Sequence, residues 1–229
     1  MPDPWFDKPV PTPDYAALRV GYTAQPLLEA DMAPAPLAQF EAWFTAALAE
    51  DLLEPNAMTL ATVDAAGHPA ARTVLLKGVD GRGFQFASNY ASAKGQQIAG
   101  NPQVALVMVW LPLSRQVCVR GRAERAPQPE SAAYFASRPR GHRLGAWASA
   151  QSQVIPDRAV LLQAYADAEA RFPEEVPTPE HWGLYTVIPD TIEFWQGQQS
   201  RLHDRLRYRR IAQSGMDDPG AWALERLAP

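Results

Sequence analysis

The chain has 229 residues, with 21 lysines and arginines against 25 aspartates and glutamates, a formal net charge of −4. Hydrophobic residues make up 47% and charged residues 20%, a globular composition that excludes wholesale disorder. An acidic balance is a poor match to nucleic acid, which needs a strongly basic face, so any anionic partner is expected to be small and met by local cations.

Residues 1–35 are rich in proline and lack periodicity, which predicts an extended arm outside a single domain spanning 36–229. Its start has neither the basic lead nor the apolar core of a signal peptide. Leu18, Arg19 and Tyr22 are the arm side chains able to dock. Leu37, Phe40, Phe44, Ala47 and Leu48 recur at helical spacing and predict a helix over 36–53, with Pro36 in its first turn. Residues 58–64 and 69–79 read as strands joined through Ala65-Ala66-Gly67, and the turn at 80–83 leads into a third strand, 84–88. Ser92 is placed to cap a short helix through Ile98, ended by Gly100-Asn101-Pro102.

Residues 104–110 and 116–124 predict two more strands, the first so apolar that both its faces are expected to be buried. The apolar run there is far short of the ~20 residues that cross a bilayer, so no membrane contact and a cytoplasmic setting are expected. Cys118, on the second strand, is the only cysteine, which excludes an intrachain disulfide and a cysteine-cluster metal site. Helices are predicted at 130–137 and 155–172, the latter with a stripe of Val160, Leu161, Ala164, Tyr165 and Ala168. A proline-rich linker at 174–180 precedes strands at 183–188, 191–195 and 201–210. Seven or eight short strands, mostly hairpin-connected, argue for a β-dominated α+β barrel. The glycine signatures of parallel nucleotide-binding folds are absent.

Several segments could carry chemistry. Arg72 and Lys77 point to opposite faces of a strand unless a bulge intervenes, and either serve two different anions or are solvated. Ser88 to Gly95 joins a strand end to a helix start, where free N–H groups, hydroxyls and Lys94 suit a phosphate; a plain Ser92 cap is the simpler alternative. Arg201, His203 and Arg205 fall on one face of the last predicted strand, with Leu202 and Leu206 inward; an anion lies among them or the edge is solvated. Trp195, between polar neighbours, offers a flat aromatic surface. Tyr134 and Arg138 share a helix face, as a phosphate clamp or as a surface pair. The small residues of 145–152 permit close backbone approach to a ligand. The four histidines show no metal-ligand spacing and no Ser-His-Asp order is evident, so no metal is expected.

Taken in order, RTVLLK (72–77), SNYASAKG (88–95), NPQVALVMVW (101–110), RQVCVRG (115–121), YFASRP (134–139), LGAWASAQS (144–152), IEFWQG (192–197) and RLHDR (201–205), with the terminal RLAP, resemble the pyridoxamine 5′-phosphate oxidase family. The resemblance runs from about residue 15 to the C-terminus. It implies an FMN-binding split β-barrel with peripheral helices, forming a homodimer with FMN at the subunit interface. The implied FMN site comprises Arg72, Thr73, Val74, Leu75, Lys77, Ala87, Ser88, Lys94, Gln116, Gln151, Ser152, Trp195 and Arg205, some from the second subunit. Lys77, Tyr134, Arg138 and His142 would hold the substrate phosphate. Arg201 and His203 would lie over the reacting face of the pyridine ring, and Arg19 and Tyr22 would belong to an arm that closes on the substrate. The implied reaction oxidises pyridoxamine 5′-phosphate or pyridoxine 5′-phosphate to pyridoxal 5′-phosphate, with O2 reduced to H2O2.

Four positions depart from the family pattern: Ala93 replaces a commonly basic residue, His142 a serine, Arg143 a glutamine and Leu184 a glycine. Two rival readings follow. One is a same-fold flavin oxidase acting on another ring, such as a phenazine precursor. The other is a non-catalytic binder of FMN or pyridoxal phosphate, which the retained Arg201 and His203 argue against.

Overall fold

A computed structural model of the chain describes residues 14–18, 21–22 and 24–229; Arg19 lies outside the described residues. Eight strands follow in chain order: β1 (Ala57–Val63), β2 (Pro69–Asp80), β3 (Gly83–Asn89), β4 (Gln103–Trp110), β5 (Arg115–Arg125), β6 (Trp182–Gln196), β7 (Asp204–Arg210) and β8 (Trp222–Arg226). All pair antiparallel, in the order β3-β2-β1-β4-β5-β6-β7-β8, and β3 also pairs with β6. Six strands therefore close into a barrel while β7 and β8 extend the sheet beyond it. The expected β-dominated α+β split barrel is what the chain forms. Five helices lie at its periphery: α1 (Pro36–Ala49), α2 (Ala93–Gly100), α3 (Gln128–Ser137), α4 (Arg140–Ala148) and α5 (Arg158–Arg171).

Alternation along the strands builds the core. Met58 and Leu60, Leu106 and Met108, and Val117 and Val119 point inward beside the fully buried Phe84, Phe86 and Phe194. Each such phenylalanine contributes roughly 2–3 kcal/mol by leaving water. Helix α1 plugs one end, with Phe40 edge-on to Phe84 at 4.9 Å and Trp43 edge-on to Phe194 at 5.1 Å.

The structure differs from the sequence reading at identifiable places. The two strands expected at 183–188 and 191–195 are one strand, β6: the register shifts between Arg120 and Gly121, so Asp190 bulges out and Pro189 needs no turn. A Cβ at Gly121 would lie 2.1 Å from the Ile188 carbonyl oxygen, so only glycine lets the strands approach at this bend. Strand β4 is not buried on both faces; it alternates, and Val109 is 50% exposed. Helix α1 stops at Ala49, before the predicted end, and α5 starts at Arg158, where the Asp157 side chain caps the Val160 N–H. On α5 only Ala168 of the predicted stripe is fully buried, while Val160 and Leu161 are exposed. Helix α4 has no counterpart in the sequence reading, which took 145–152 only as small residues open to a ligand; Pro139 stands at its N-cap. The 174–180 segment is docked, with Arg140 donating to the Phe172 and Glu174 carbonyls and Trp147 to that of Pro177. Among the described residues, no helix is long and apolar enough to cross a membrane.

Candidate functional site

A cleft of about 820 Å³ opens where β2 and β3 meet α3, α4 and the start of α2. It collects Thr73, Val74, Leu75 and Lys77 from β2, Ala87 and Ser88 from β3, Lys94 from α2, Tyr134 and Arg138 from the end of α3, His142 from α4, and Gln151. Lys77 is the extra residue of a β-bulge: Leu76 faces Phe86 and Gly78 faces Gln85, with nothing opposite Lys77.

Arg72 lies behind this wall rather than on it. Its Nη1 donates to the Leu60 carbonyl at 3.2 Å and to Thr62 Oγ1 at 2.5 Å, and its Nη2 donates to Gln97 Oε1 at 3.1 Å. Lys94 Nζ donates to Gln151 Oε1 at 3.0 Å. Burial first, then the charge of Arg72, holds the Lys94 pKa below its ordinary value. The start of α2 is rigid: Ser92, fully buried, donates from Oγ to the Asn89 carbonyl at 2.7 Å and accepts the Gly95 N–H at 3.3 Å. A Cβ at Gly95 would lie 2.2 Å from the Tyr90 carbonyl oxygen, so glycine alone fits against the strand end. Lys94 on the cleft wall beside a helix N-terminus, with the Arg72 charge near it, suits a phosphate monoester such as FMN's.

At the α3–α4 junction the Arg138 guanidinium lies 4.6 Å from the Trp182 ring centre, and the Tyr134 ring stacks on Trp182 at 6.1 Å. Burial lowers the Arg138 pKa, and its Nη1 is buried without a hydrogen-bond partner. A desolvated N–H without an acceptor costs about 1–3 kcal/mol, which a bound anion would remove.

The remaining predicted residues form a second surface. Val109, Gln116, Trp195 and Arg205 stand side by side across β4, β5, β6 and β7. Arg205 is paired through Nε and Nη2 with Glu193, at 2.7 and 3.0 Å, and donates from Nη1 to the Ala228 carbonyl. Gln116 Nε2 lies 3.2 Å from Cys118 Sγ, whose thiol is pushed up to about 11, chiefly by burial. The expected strand through 201–205 is corrected: β7 starts only at Asp204, Arg201 ends a 3-10 turn and Leu202 is exposed rather than inward. Ser200 and Arg201 both have left-handed backbone, with φ of 55° and 64°, at a cost of roughly 1–2 kcal/mol each. This turn brings the His203 ring onto Trp195, centroids 4.7 Å apart. Tyr22 of the arm packs edge-on to both rings, and Arg201 sits 5.8 Å from the Tyr22 ring centre.

The single chain thus brings Arg201, His203, Trp195 and Tyr22 together but sets none of them in the cleft. Ser152, exposed and with φ of 75°, follows Gln151 without lining the cleft. Trp182, Glu193, Thr62 and Gln97 escaped the sequence reading. Trp182 follows the proline-rich segment, a position that signals docking, whereas the other three become partners only through strand register and the placing of α2 against β1.

The family profile described as "Pyridoxamine 5′-phosphate oxidase" matches residues 44–172, and that described as "Pyridoxine 5′-phosphate oxidase C-terminal dimerisation region" matches 182–229. A protein named pyridoxine/pyridoxamine 5′-phosphate oxidase from Burkholderia thailandensis is 54% identical over 93% of this chain and 98% of its own length. One of the same name from Cupriavidus necator is 51% identical over the same shares. Among solved structures, PhzG from Burkholderia lata 383, in complex with tetrahydrophenazine-1-carboxylic acid, superposes with a TM-score of 0.81 at 25% identity, covering 90% of this chain and 99% of that one. A pyridoxamine 5′-phosphate oxidase-related, FMN-binding protein from Nostoc punctiforme gives 0.67 at 20% identity, covering 86% and 100%, and shares the fold.

Proposed function

The chain belongs to the pyridoxamine 5′-phosphate oxidase family, and on that premise we propose that it oxidises pyridoxamine 5′-phosphate and pyridoxine 5′-phosphate to pyridoxal 5′-phosphate with bound FMN. Two chains form a homodimer that sets the Gln116–Trp195–Arg205 row and the Arg201–His203 turn of one protomer against the cleft of its partner. Lys94 and Arg72 hold the FMN phosphate at the α2 start, with Ser88 and the backbone of Thr73 to Leu75 beside it. Gln151, Ser152, Gln116, Trp195 and Arg205 complete the flavin site. FMN, when bound, would supply the two-electron acceptor, with O2 as final oxidant and peroxide as product; from the amine substrate, water would displace the nitrogen as ammonia.

The chain's own residues supply grip and orientation. Lys77, Tyr134, Arg138 and His142 take the substrate phosphate. Arg201, through its planar fork of N–H donors, polarises the amine or hydroxyl. His203 Nδ1 accepts the Gln198 backbone N–H at 3.1 Å, so the neutral ring carries its proton on Nε2 and offers it as a donor. The arm, through Tyr22, lies over the substrate and excludes water.

The observation that carries this reading is Arg138 Nη1, buried and unpartnered in the cleft that also holds Lys77 and Lys94. A second reading, a reduced phenazine carboxylate as substrate, is favoured by the likeness to PhzG and by His142 in the cleft wall. Peroxide release from the flavin-loaded protein decides: faster turnover with pyridoxine 5′-phosphate than with a reduced phenazine carboxylate supports the first reading and the reverse supports the second. No peroxide with either leaves a non-catalytic flavin binder.

A further inference from the structure

The C-terminal strand holds the arm through one side chain. Arg226 uses all three guanidinium nitrogens: Nε donates to Glu29 Oε1 at 2.7 Å, Nη1 to Asp204 Oδ1 at 2.7 Å, and Nη2 to Glu29 Oε2 and the Leu27 carbonyl, both at 2.9 Å. Asp204 answers from the other side, its Oδ2 accepting the Leu27 N–H at 3.0 Å. Leu27 is thus held by both its N–H and its carbonyl, and its side chain is buried. The Gln25 carbonyl accepts from Gln198 Nε2 at 3.0 Å, one step nearer the active turn. Asp204 is the residue after His203, so the anchor and the Tyr22 seat share one short segment of chain. That seat is tight: a Cβ at Gly197 would lie 2.6 Å from Tyr22 Cδ1.

We propose that Arg226 is a positioning residue, acting through Asp204 and Leu27 to hold the arm so that Tyr22 stays over His203 and Arg201. The inference rests on the reading that Tyr22 faces the substrate. Arg226 itself touches neither Tyr22 nor the cleft, so it acts at one remove, through Asp204 and Leu27. A hydrogen-bonded charge pair of this kind restricts a segment without closing it off, because Arg226 and Glu29 are partly exposed and can part.

The test uses the flavin-loaded protein with pyridoxine 5′-phosphate and two readouts: steady-state kinetics, and chymotryptic cleavage within residues 22–28. Arg226→Gln is expected to raise KM about tenfold with a smaller change in kcat, and to speed arm cleavage at least as much. In a Tyr22→Ala background the same substitution is expected to shift KM less than about twofold, since the residue it positions is gone. Glu29→Gln, which cuts only the arm side of the clasp, should show a weaker version of both effects, and covers the case in which Arg226→Gln fails to fold. An equal KM rise in both backgrounds, or arm cleavage unchanged in Arg226→Gln and Glu29→Gln, overturns the proposal. If Tyr22→Ala alone leaves KM unchanged while arm cleavage still depends on Arg226, the clasp stands and the substrate-facing role of Tyr22 is what fails.

Discussion

Lys94 carries its charge against burial and against Arg72, which together hold its pKa below the usual lysine value. Above that lowered pKa the flavin-free protein loses the proton; a phosphate dianion favours keeping it, so flavin binding takes up a proton there. FMN affinity should therefore begin to fall with rising pH earlier than the titration of an ordinary lysine would make it. Lys94→Arg, charged throughout, should flatten that alkaline limb in a flavin-fluorescence titration; an identical limb in both proteins would remove Lys94 from the phosphate site. At this scale the sequence was informative for cleft residues, because Lys77, Lys94 and Arg138 sit in ordered motifs whose neighbours specify them. It was mute on who partners whom. Arg205 reads as a free cation until strand register puts Glu193 beside it, and Arg138 gains its aromatic bed only when Trp182 arrives from β6.

Helix α2 shows how an element turns a cap into a site. Ser92 satisfies two backbone groups at once, and Lys94 follows on the first turn. Ser92→Ala should cost about 1–2 kcal/mol in denaturant unfolding and weaken FMN binding in parallel; lost stability with unchanged flavin affinity would separate the cap from the site. Elements with local signals were legible in the sequence: strands β1 to β3 through the turns that join them, β4 through its apolar run, α2 through its cap and its Gly-Asn-Pro stop. Those that depend on tertiary context were not. The β6 bulge absorbs Pro189-Asp190 where β5 runs alongside, and the 199–201 turn carries two left-handed residues that no local pattern announces.

Across the whole molecule, the predicted residues divide between a cleft and a sheet face that a single chain does not join. The row on that face begins at Val109, half exposed beside Leu111, which is 76% exposed. Apolar exposure next to the residues assigned to the flavin is what the proposed contact between two copies would cover. Val109→Arg should yield monomers in light scattering while far-ultraviolet circular dichroism stays native, and FMN should be lost in step. A dimer that persists with full flavin content would place the contact elsewhere. The barrel class was readable from hairpin spacing and strand count; a site shared between two subunits was legible only through the family resemblance, because no residue pattern within one chain displays a second copy.

The central claim, that this cleft joins a flavin to a pyridoxine-type phosphate ester as its reductant, is tested most directly without oxygen. Pyridoxine 5′-phosphate is added anaerobically to the purified protein while its absorbance near 450 nm is followed. The expected result is a yellow protein that bleaches on mixing and regains its colour, with peroxide, when air is admitted. A yellow protein whose spectrum is unmoved by saturating substrate, or a protein that binds no flavin, would contradict it.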